Sequence, residues 1–291
     1  MANKITRFRA YQLGGKGSSF SYCVDNIFTL IEARYNEVNK SRIQNEMHIC
    51  NCRSINKLHI TSWDKDHCNP QELRAILQEL NPSFVDYPGY VPDSEAGKES
   101  LALIKAYMSH KRFASSYCYT PSNINKLSKA ELGKYSDVVF NPIELSNTHN
   151  DNSIVKLFRK GRFTVLSLGD CESSEIAERI SNSLIACRET DVMILAHHGA
   201  DNGFTTKDFL KKIKPKIAIC SSNYDNQYAH PDESIRQMLY EEDIPLFTTK
   251  TGDVIVVCDM NNKCIVYNLI SSNQTISTKK YFRPKMIVPE Y

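Results

Sequence analysis

Thr61-Ser62-Trp63-Asp64-Lys65-Asp66-His67, joined much later in the chain by Ala196-His197-His198-Gly199, decides how the rest is read. The first stretch follows a strand candidate at Lys57–Thr61, the second the buried-strand pattern Asp191–Ala196. Both set carboxylates and imidazoles at strand ends. Alternate residues of an extended chain project to the same side. Ser62, Asp64 and Asp66 are therefore expected to share a direction, with His67 folding over at the next helix start. Asp170 closes another strand, and His230 opens the helix after a fourth. Ligand-type side chains at four strand ends predict a metal centre, and hydrolysis is the chemistry such a centre most readily supports.

Outward from these stretches, β-type runs alternate with helical ones. Strands are expected at Ile5–Gln12, Phe20–Val24 and Phe28–Glu32. Asn69 and Pro70 start a helix with Leu73, Ile76, Leu77 and Leu80 on one face, and Asn81-Pro82 stops it. A second helix covers Ser94–His110, and Arg112–Lys134 reads as a surface excursion. Ser153–Phe158 and Arg162–Leu168 form a hairpin; Glu175–Ala186 is one helix; Lys207–Ile213 and His230–Tyr240 are two more. Lys216–Cys220, Pro245–Thr249, Asp253–Cys258 and Lys263–Leu269 are strands. The expectation is one domain over residues 1–291, with a core over about 5–260 and a basic tail over about 271–291 that carries Lys279, Lys280, Arg283 and Lys285.

Composition sets bounds. Of 291 residues, 41% are hydrophobic and 24% charged, enough apolar material for a large core without a disorder signature. A net charge of +3 is too small to name a polyanionic partner. No run approaches the ~18 apolar residues of a membrane helix. Residues 1–7 lack a secretory apolar stretch, so a cytoplasmic location and no membrane partner are expected. The ten cysteines include no Cys-x-x-Cys pair and are expected to be reduced; His48, Cys50 and Cys52 alternate as if on one strand face. Cys68 and Cys171, next to candidate ligands, are read as packing residues.

The ordered motifs resemble the metallo-β-lactamase fold, and more closely the hydrolase domain of ComEC-type competence (DNA-uptake) proteins. The resemblance rests on Ser62-x-Asp64-x-Asp66-His67, Asn150–Val155, Leu168-Gly169-Asp170, His197-His198-Gly199-Ala200 and Asn226-x-Tyr228-x-His230-Pro231, with weaker echoes at Gln12–Ser18 and Phe28–Glu32. It spans roughly residues 5 to 260 and implies an α/β fold, a four-layer αββα sandwich with the site along one edge of the two sheets. Carried across, Asp66, His67 and His230 would hold one metal, Asp170 would bridge to a second, Asp64 would be a ligand of that second metal, and His198 would be a metal ligand or a phosphate contact. Strand alternation leaves open which of His197 and His198 faces inward, and allows only one. Ser62 stands where the family has its first histidine, which weakens one metal position. Zinc or manganese is expected, as one or two ions, since the carboxylate-rich donor set suits a harder cation than a sulfur-rich one does.

The resemblance implies phosphodiester hydrolysis by a metal-activated water, nuclease-like on DNA or another nucleic acid. Asp66, Asp170 and His198 would be catalytic, and His197, Asn226 and Tyr228 would contact substrate. Lys207, Lys211, Lys212, Lys214 and Lys216 beside the paired histidines could follow a phosphate backbone. Two other readings compete: a hydrolase of small phosphoesters such as cyclic nucleotides, and a catalytically weakened domain that binds nucleic acid, a partner protein or a second copy of itself.

Overall fold

Apolar strand residues that sort in strict alternation between two cores build the centre of the molecule. The computed structural model describes residues 6–124, 136–224, 228–270 and 275–286. In Val165–Ser167 (β9), Val192–Ile194 (β10) and Ile217–Cys220 (β11), the residues Val165, Val192, Ile194, Ile217 and Ile219 point into one core. Leu166, Met193, Ala218 and Cys220 point into the other. Strands buried on both faces read as continuous apolar runs, and these three pair in parallel.

With Leu246–Thr248 (β12), Val155–Phe158 (β8) and Val138–Asn141 (β7) they form a six-stranded sheet, order β12-β11-β10-β9-β8-β7. The second sheet has nine strands. Thr6–Ala10 (β1), Phe20–Val24 (β2), Ile27–Ile31 (β3), Lys57–His59 (β4), Phe84–Pro88 (β5), Ser115–Tyr119 (β6), Val254–Cys258 (β13), Cys264–Ile270 (β14) and Thr275–Phe282 (β15) lie in the order β15-β14-β13-β1-β2-β3-β4-β5-β6. Phe8, Phe20, Tyr22, Val254 and Val256 of the nine-stranded sheet meet Phe158, Val165, Val192 and Ile219 of the other to form the inter-sheet core.

Helices cover both outer faces. Lys40–Ile49 (α1), Pro70–Ala75 (α2, continuing as a wide turn to Leu80) and Glu95–His110 (α3) pack on the nine-stranded sheet through Ile43, Met47, Leu73, Ile76 and Ile104. Ser174–Ser181 (α4), Leu184–Glu189 (α5), Lys207–Ile213 (α6) and Glu233–Glu241 (α7) cover the six-stranded sheet through Ile176, Ile180, Phe209, Leu210, Ile235 and Leu239. The result is a four-layer αββα sandwich. Asn69 caps α2 by accepting from Gln71 N and Glu72 N, and Ser94 caps α3 by accepting from Gly97 N. The two sheets are also tied by charge: Lys156 Nζ of β8 lies 3.2 Å from Asp86 Oδ2 of β5, with His59 Nδ1 of β4 at 3.3 Å from the same oxygen, all three buried.

Several expectations need correction. His48 and Cys50 lie on and at the end of helix α1, not on one face of a strand with Cys52. The helical period is masked because α1 also buries Glu46, which takes Arg7 Nε at 2.6 Å and Arg9 Nη1 at 3.0 Å. The excursion from Arg112 contains β6; residues 125–134 of it lie outside the described part. The single helix expected at Glu175–Ala186 is two, because Ser183 caps a new one through Ala186 N. Cys258 and Cys264 are joined by a disulfide across β13 and β14, while the other eight cysteines are free. Finally, the stretch read as a basic tail includes strand β15, and beyond it Lys285 is tied down. Its Nζ donates to Cys187 O at 2.7 Å and its N to Asp191 Oδ1 at 2.7 Å.

Candidate metal centre

Four side chains from three loops converge at the carboxyl ends of β4, β9 and β10. One ligand atom each from Asp66, His67, Asp170 and His198 lies within 4.8 Å of every other. His67 Nε2 is 2.8 Å from Asp170 Oδ2, and His198 Nε2 is 3.5 Å from Asp66 Oδ2. Both nitrogens are buried, and neither contact is aligned as a hydrogen bond. Donor atoms around an ion at bonds of about 2.0–2.2 Å sit roughly 3.3–3.6 Å apart in a tetrahedral site; the His198–Asp66 spacing of 3.5 Å falls in that range, while the His67–Asp170 spacing of 2.8 Å is shorter. Two imidazoles and two carboxylates are a donor set for a divalent ion.

Each histidine is oriented from behind. His67 Nδ1 faces Glu32 Oε1 at 3.2 Å and Thr61 Oγ1 at 3.2 Å. Thr61 in turn donates its hydroxyl to Glu32 Oε1 at 2.6 Å and its backbone N–H to Oε2 at 3.0 Å. His198 Nδ1 donates to Ser221 O at 2.9 Å. Anchoring Nδ1 in this way fixes the ring and leaves Nε2 for a metal. Glu32, buried at the end of β3 with a φ of +69°, is the functional residue that sequence reasoning missed; its signal was a carboxylate closing an apolar strand.

Burial disfavours charge on all four groups, yet they hold one another ionised. At His67 the Asp170 and Glu32 carboxylates outweigh desolvation and keep the imidazole well above its ordinary value. Asp66 and Asp170 do the same for His198. In return, the imidazoles overcome burial and hold the Asp66 and Asp170 carboxyls below the usual range.

The other expected site residues fall differently. Residues 62–67 do not run extended. The Asp64 carbonyl accepts from His67 N and Cys68 N, closing a turn, and the Asp64 carboxylate accepts from Ser62 Oγ at 2.8 Å. Ser62, Asp64 and Asp66 therefore do not alternate along one face, and Asp64 is not in the four-residue group. His230 is outside that group too. It lines the adjoining cavity, with Nδ1 at 2.9 Å from Asp232 Oδ1. Both paired histidines reach the site. β10 ends at Ile194, and His197 and His198 take left-handed φ values of +43° and +54°, so strand alternation no longer governs them. His197 lines the cavity with Nδ1 at 2.6 Å from Glu172 Oε1. Tyr228 lines it as well, while Asn226 lies outside the described residues. Cys68 and Cys171 are buried in the two outer cores. Lys207 pairs with Glu241 at 2.8 Å on the helical surface.

Comparison with known proteins bears on the fold. The chain is 28% identical over 106 residues to ComE operon protein 3 of Bacillus subtilis (strain 168), covering 36% of this chain and 13% of that protein. It is 35% identical over 60 residues to competence protein ComA of Neisseria gonorrhoeae, 21% of this chain and 8% of that one. Among solved structures it is similar to Igni18, a metallo hydrolase from Ignicoccus hospitalis KIN4/I, with a TM-score of 0.53 and 15% identity over 86% of this chain and 98% of that one. The chain has the metallo-β-lactamase fold and resembles the ComEC-type competence proteins. No family model matches it, and it spans only a small part of either competence relative. Within the metallo-β-lactamase fold, the cluster of Asp66, His67, Asp170 and His198 sits where two sheets present their strand ends to a shared edge. Among the described residues, no helix is long and apolar enough to cross a membrane.

Proposed function

We propose that this chain is a metal-dependent hydrolase of phosphodiester bonds that works with one tightly held zinc or manganese ion. The observation that carries the reading is the pair of buried nitrogens, His67 Nε2 and His198 Nε2, facing two carboxylates in contacts too misaligned for hydrogen bonds. A divalent cation bound there would supply Lewis acidity and a water activated near neutral pH. One ion is favoured because, among the described residues, the ligand atoms that meet come from Asp66, His67, Asp170 and His198, and Asp64, His197 and His230 lie outside that group.

The chain's own residues account for positioning. Asp66 and Asp170, ionised at neutral pH, orient the nucleophile as hydrogen-bond acceptors. Their depressed pKa values make them weak bases, so proton donation to the leaving oxygen falls to His230, an imidazole on the cavity wall backed by a carboxylate. The resemblance to ComEC-type proteins favours nucleic acid as the source of the phosphodiester. A cavity of about 400 Å³ favours a second reading, hydrolysis of small phosphoesters.

The test is elemental analysis together with hydrolysis of single-stranded DNA and of a chromogenic small diester, on wild type and Asp170→Ala. One equivalent of metal and manganese- or zinc-dependent cleavage are expected of the wild type, with both lost in the variant. A variant that keeps metal and activity would overturn the proposal, and the preferred wild-type substrate decides between the two readings.

A further inference from the structure

The cavity beside the four ligands has an uneven wall. Asp66 and His198 belong to the metal cluster, while Lys16 and Tyr228 have no part in it. Lys16 is held there by a backbone strap. Its carbonyl accepts from Arg34 Nη1 at 2.7 Å, and the same nitrogen donates to Asp66 O at 3.1 Å. Ser18 N donates to Asp66 O at 3.0 Å, and Ser221 Oγ donates to Gly17 O at 2.9 Å. Gly17 is where the strap presses closest: at φ +121° an added Cβ would sit 2.0 Å from Arg34 Nη1 and 2.3 Å from Asp66 O. The loop carrying Lys16 is thus bound to the backbone of a metal-ligand candidate.

The Lys16 ammonium has no carboxylate partner among the described residues. It rests 5.1 Å from the centroid of the Tyr228 ring, which itself stacks on His230 at 5.5 Å and 21° while remaining 59% exposed. A cation–π contact that solvent can reach is weak beside a charge-assisted hydrogen bond to a phosphate oxygen. An arriving phosphate therefore draws Lys16 away and uncovers an aromatic ring. Any base can stack on such a ring, because every base has a π-face. The cavity, at about 400 Å³, lies in the roughly 300–1,000 Å³ range of small-molecule sites and so suits one nucleotide unit more than a long groove.

We propose that Lys16 and Tyr228 are the specificity residues of this site, selecting a nucleoside phosphoester: Lys16 takes the phosphate and Tyr228 stacks the base. This rests on the hydrolase reading for its chemistry, but its binding claim can be measured without turnover. The experiment is equilibrium binding of thymidine 5′-monophosphate, inorganic phosphate and thymidine to the full chain with manganese. It compares wild type, Lys16→Gln, Tyr228→Leu and Tyr228→Phe, all on the protein surface. Alongside it, hydrolysis of thymidine 5′-(p-nitrophenyl) phosphate is compared with that of methyl p-nitrophenyl phosphate.

Tyr228→Leu is expected to weaken the nucleotide about tenfold or more while sparing phosphate, and Tyr228→Phe to bind like wild type. Lys16→Gln is expected to weaken nucleotide and phosphate together and to spare thymidine. The proposal is overturned if Tyr228→Leu leaves the nucleotide-to-phosphate affinity ratio unchanged, if Lys16→Gln leaves phosphate binding unchanged, or if wild type binds neither anion. Expected binding effects without hydrolysis of either ester would sink the hydrolase reading alone. Equal hydrolysis of both esters, untouched by Tyr228→Leu, would sink the specificity proposal alone.

Discussion

Glu32→Gln separates a metal centre from an accidental cluster of charge. Glu32 lies behind His67 and touches no candidate metal position, yet three contacts meet on its carboxylate: Thr61 Oγ1 at 2.6 Å, Thr61 N at 3.0 Å and His67 Nδ1 at 3.2 Å. Glutamine keeps the shape but turns one oxygen into a donor, which must then face Thr61 or His67, both donors at that point. Loss of one hydrogen bond to a charged group costs about 1.5–3 kcal/mol. At 1.4 kcal/mol per tenfold, that is about ten- to a hundredfold in zinc affinity, the range typical of the carboxylate behind a ligating histidine. The assay is zinc competition against a chromogenic chelator, with thermal unfolding of the metal-free protein as the control for folding. If Glu32→Gln folds and binds zinc as tightly as wild type, His67 is not a ligand oriented by Glu32, and the reading of the cluster fails.

Two further outcomes follow from charge. In the metal-free protein His67 and His198 hold protons above the ordinary histidine value, so their stabilising effect is complete below about pH 6.5 and is lost as pH rises through their elevated folded values. Metal must displace those protons, so apparent affinity is expected to climb with pH above about 6.5; a flat chelator-competition profile would refute this. Lys156→Met leaves buried Asp86 with Lys57 Nζ and His59 Nδ1, each at 3.3 Å, and is expected to destabilise the fold in urea unfolding by less than the about 3–5 kcal/mol of a wholly uncompensated buried charge; an unchanged midpoint and slope would show that the Lys156 pair carries no such energy.

Much of the architecture could be read where local chemistry is strong. The Asn69-Pro70 start of α2, the Ser94 start of α3 and the both-faces-buried runs of β10 and β11 each declare themselves by a cap or by composition. Elements stabilised by distant partners are silent. Helix α1 owes its place to the Arg7, Arg9 and Glu46 network, whose members are widely separated in the chain. Strand β6 at Ser115–Tyr119 is half exposed and, among the described residues, pairs only with β5, so its sequence has little apolar alternation to show. The disulfide between Cys258 and Cys264 depends on the register of β13 and β14, which puts the two residues directly opposite.

The site shows where such reasoning reaches its edge. Alternation is a rule for residues inside strands, and these ligand candidates lie just past strand ends. At 61–68 the chain turns on the Asp64 carbonyl, and at 196–199 three successive residues, His197, His198 and Gly199, adopt positive φ. For two histidines that conformation costs about 1–2 kcal/mol each. His198 Nδ1 is held there by its hydrogen bond to the Ser221 carbonyl, and His197 Nδ1 lies 2.6 Å from Glu172 Oε1. One backbone distortion therefore delivers two imidazoles to one cavity, His198 toward Asp66 and His197 to the wall. A regular strand could have delivered only one.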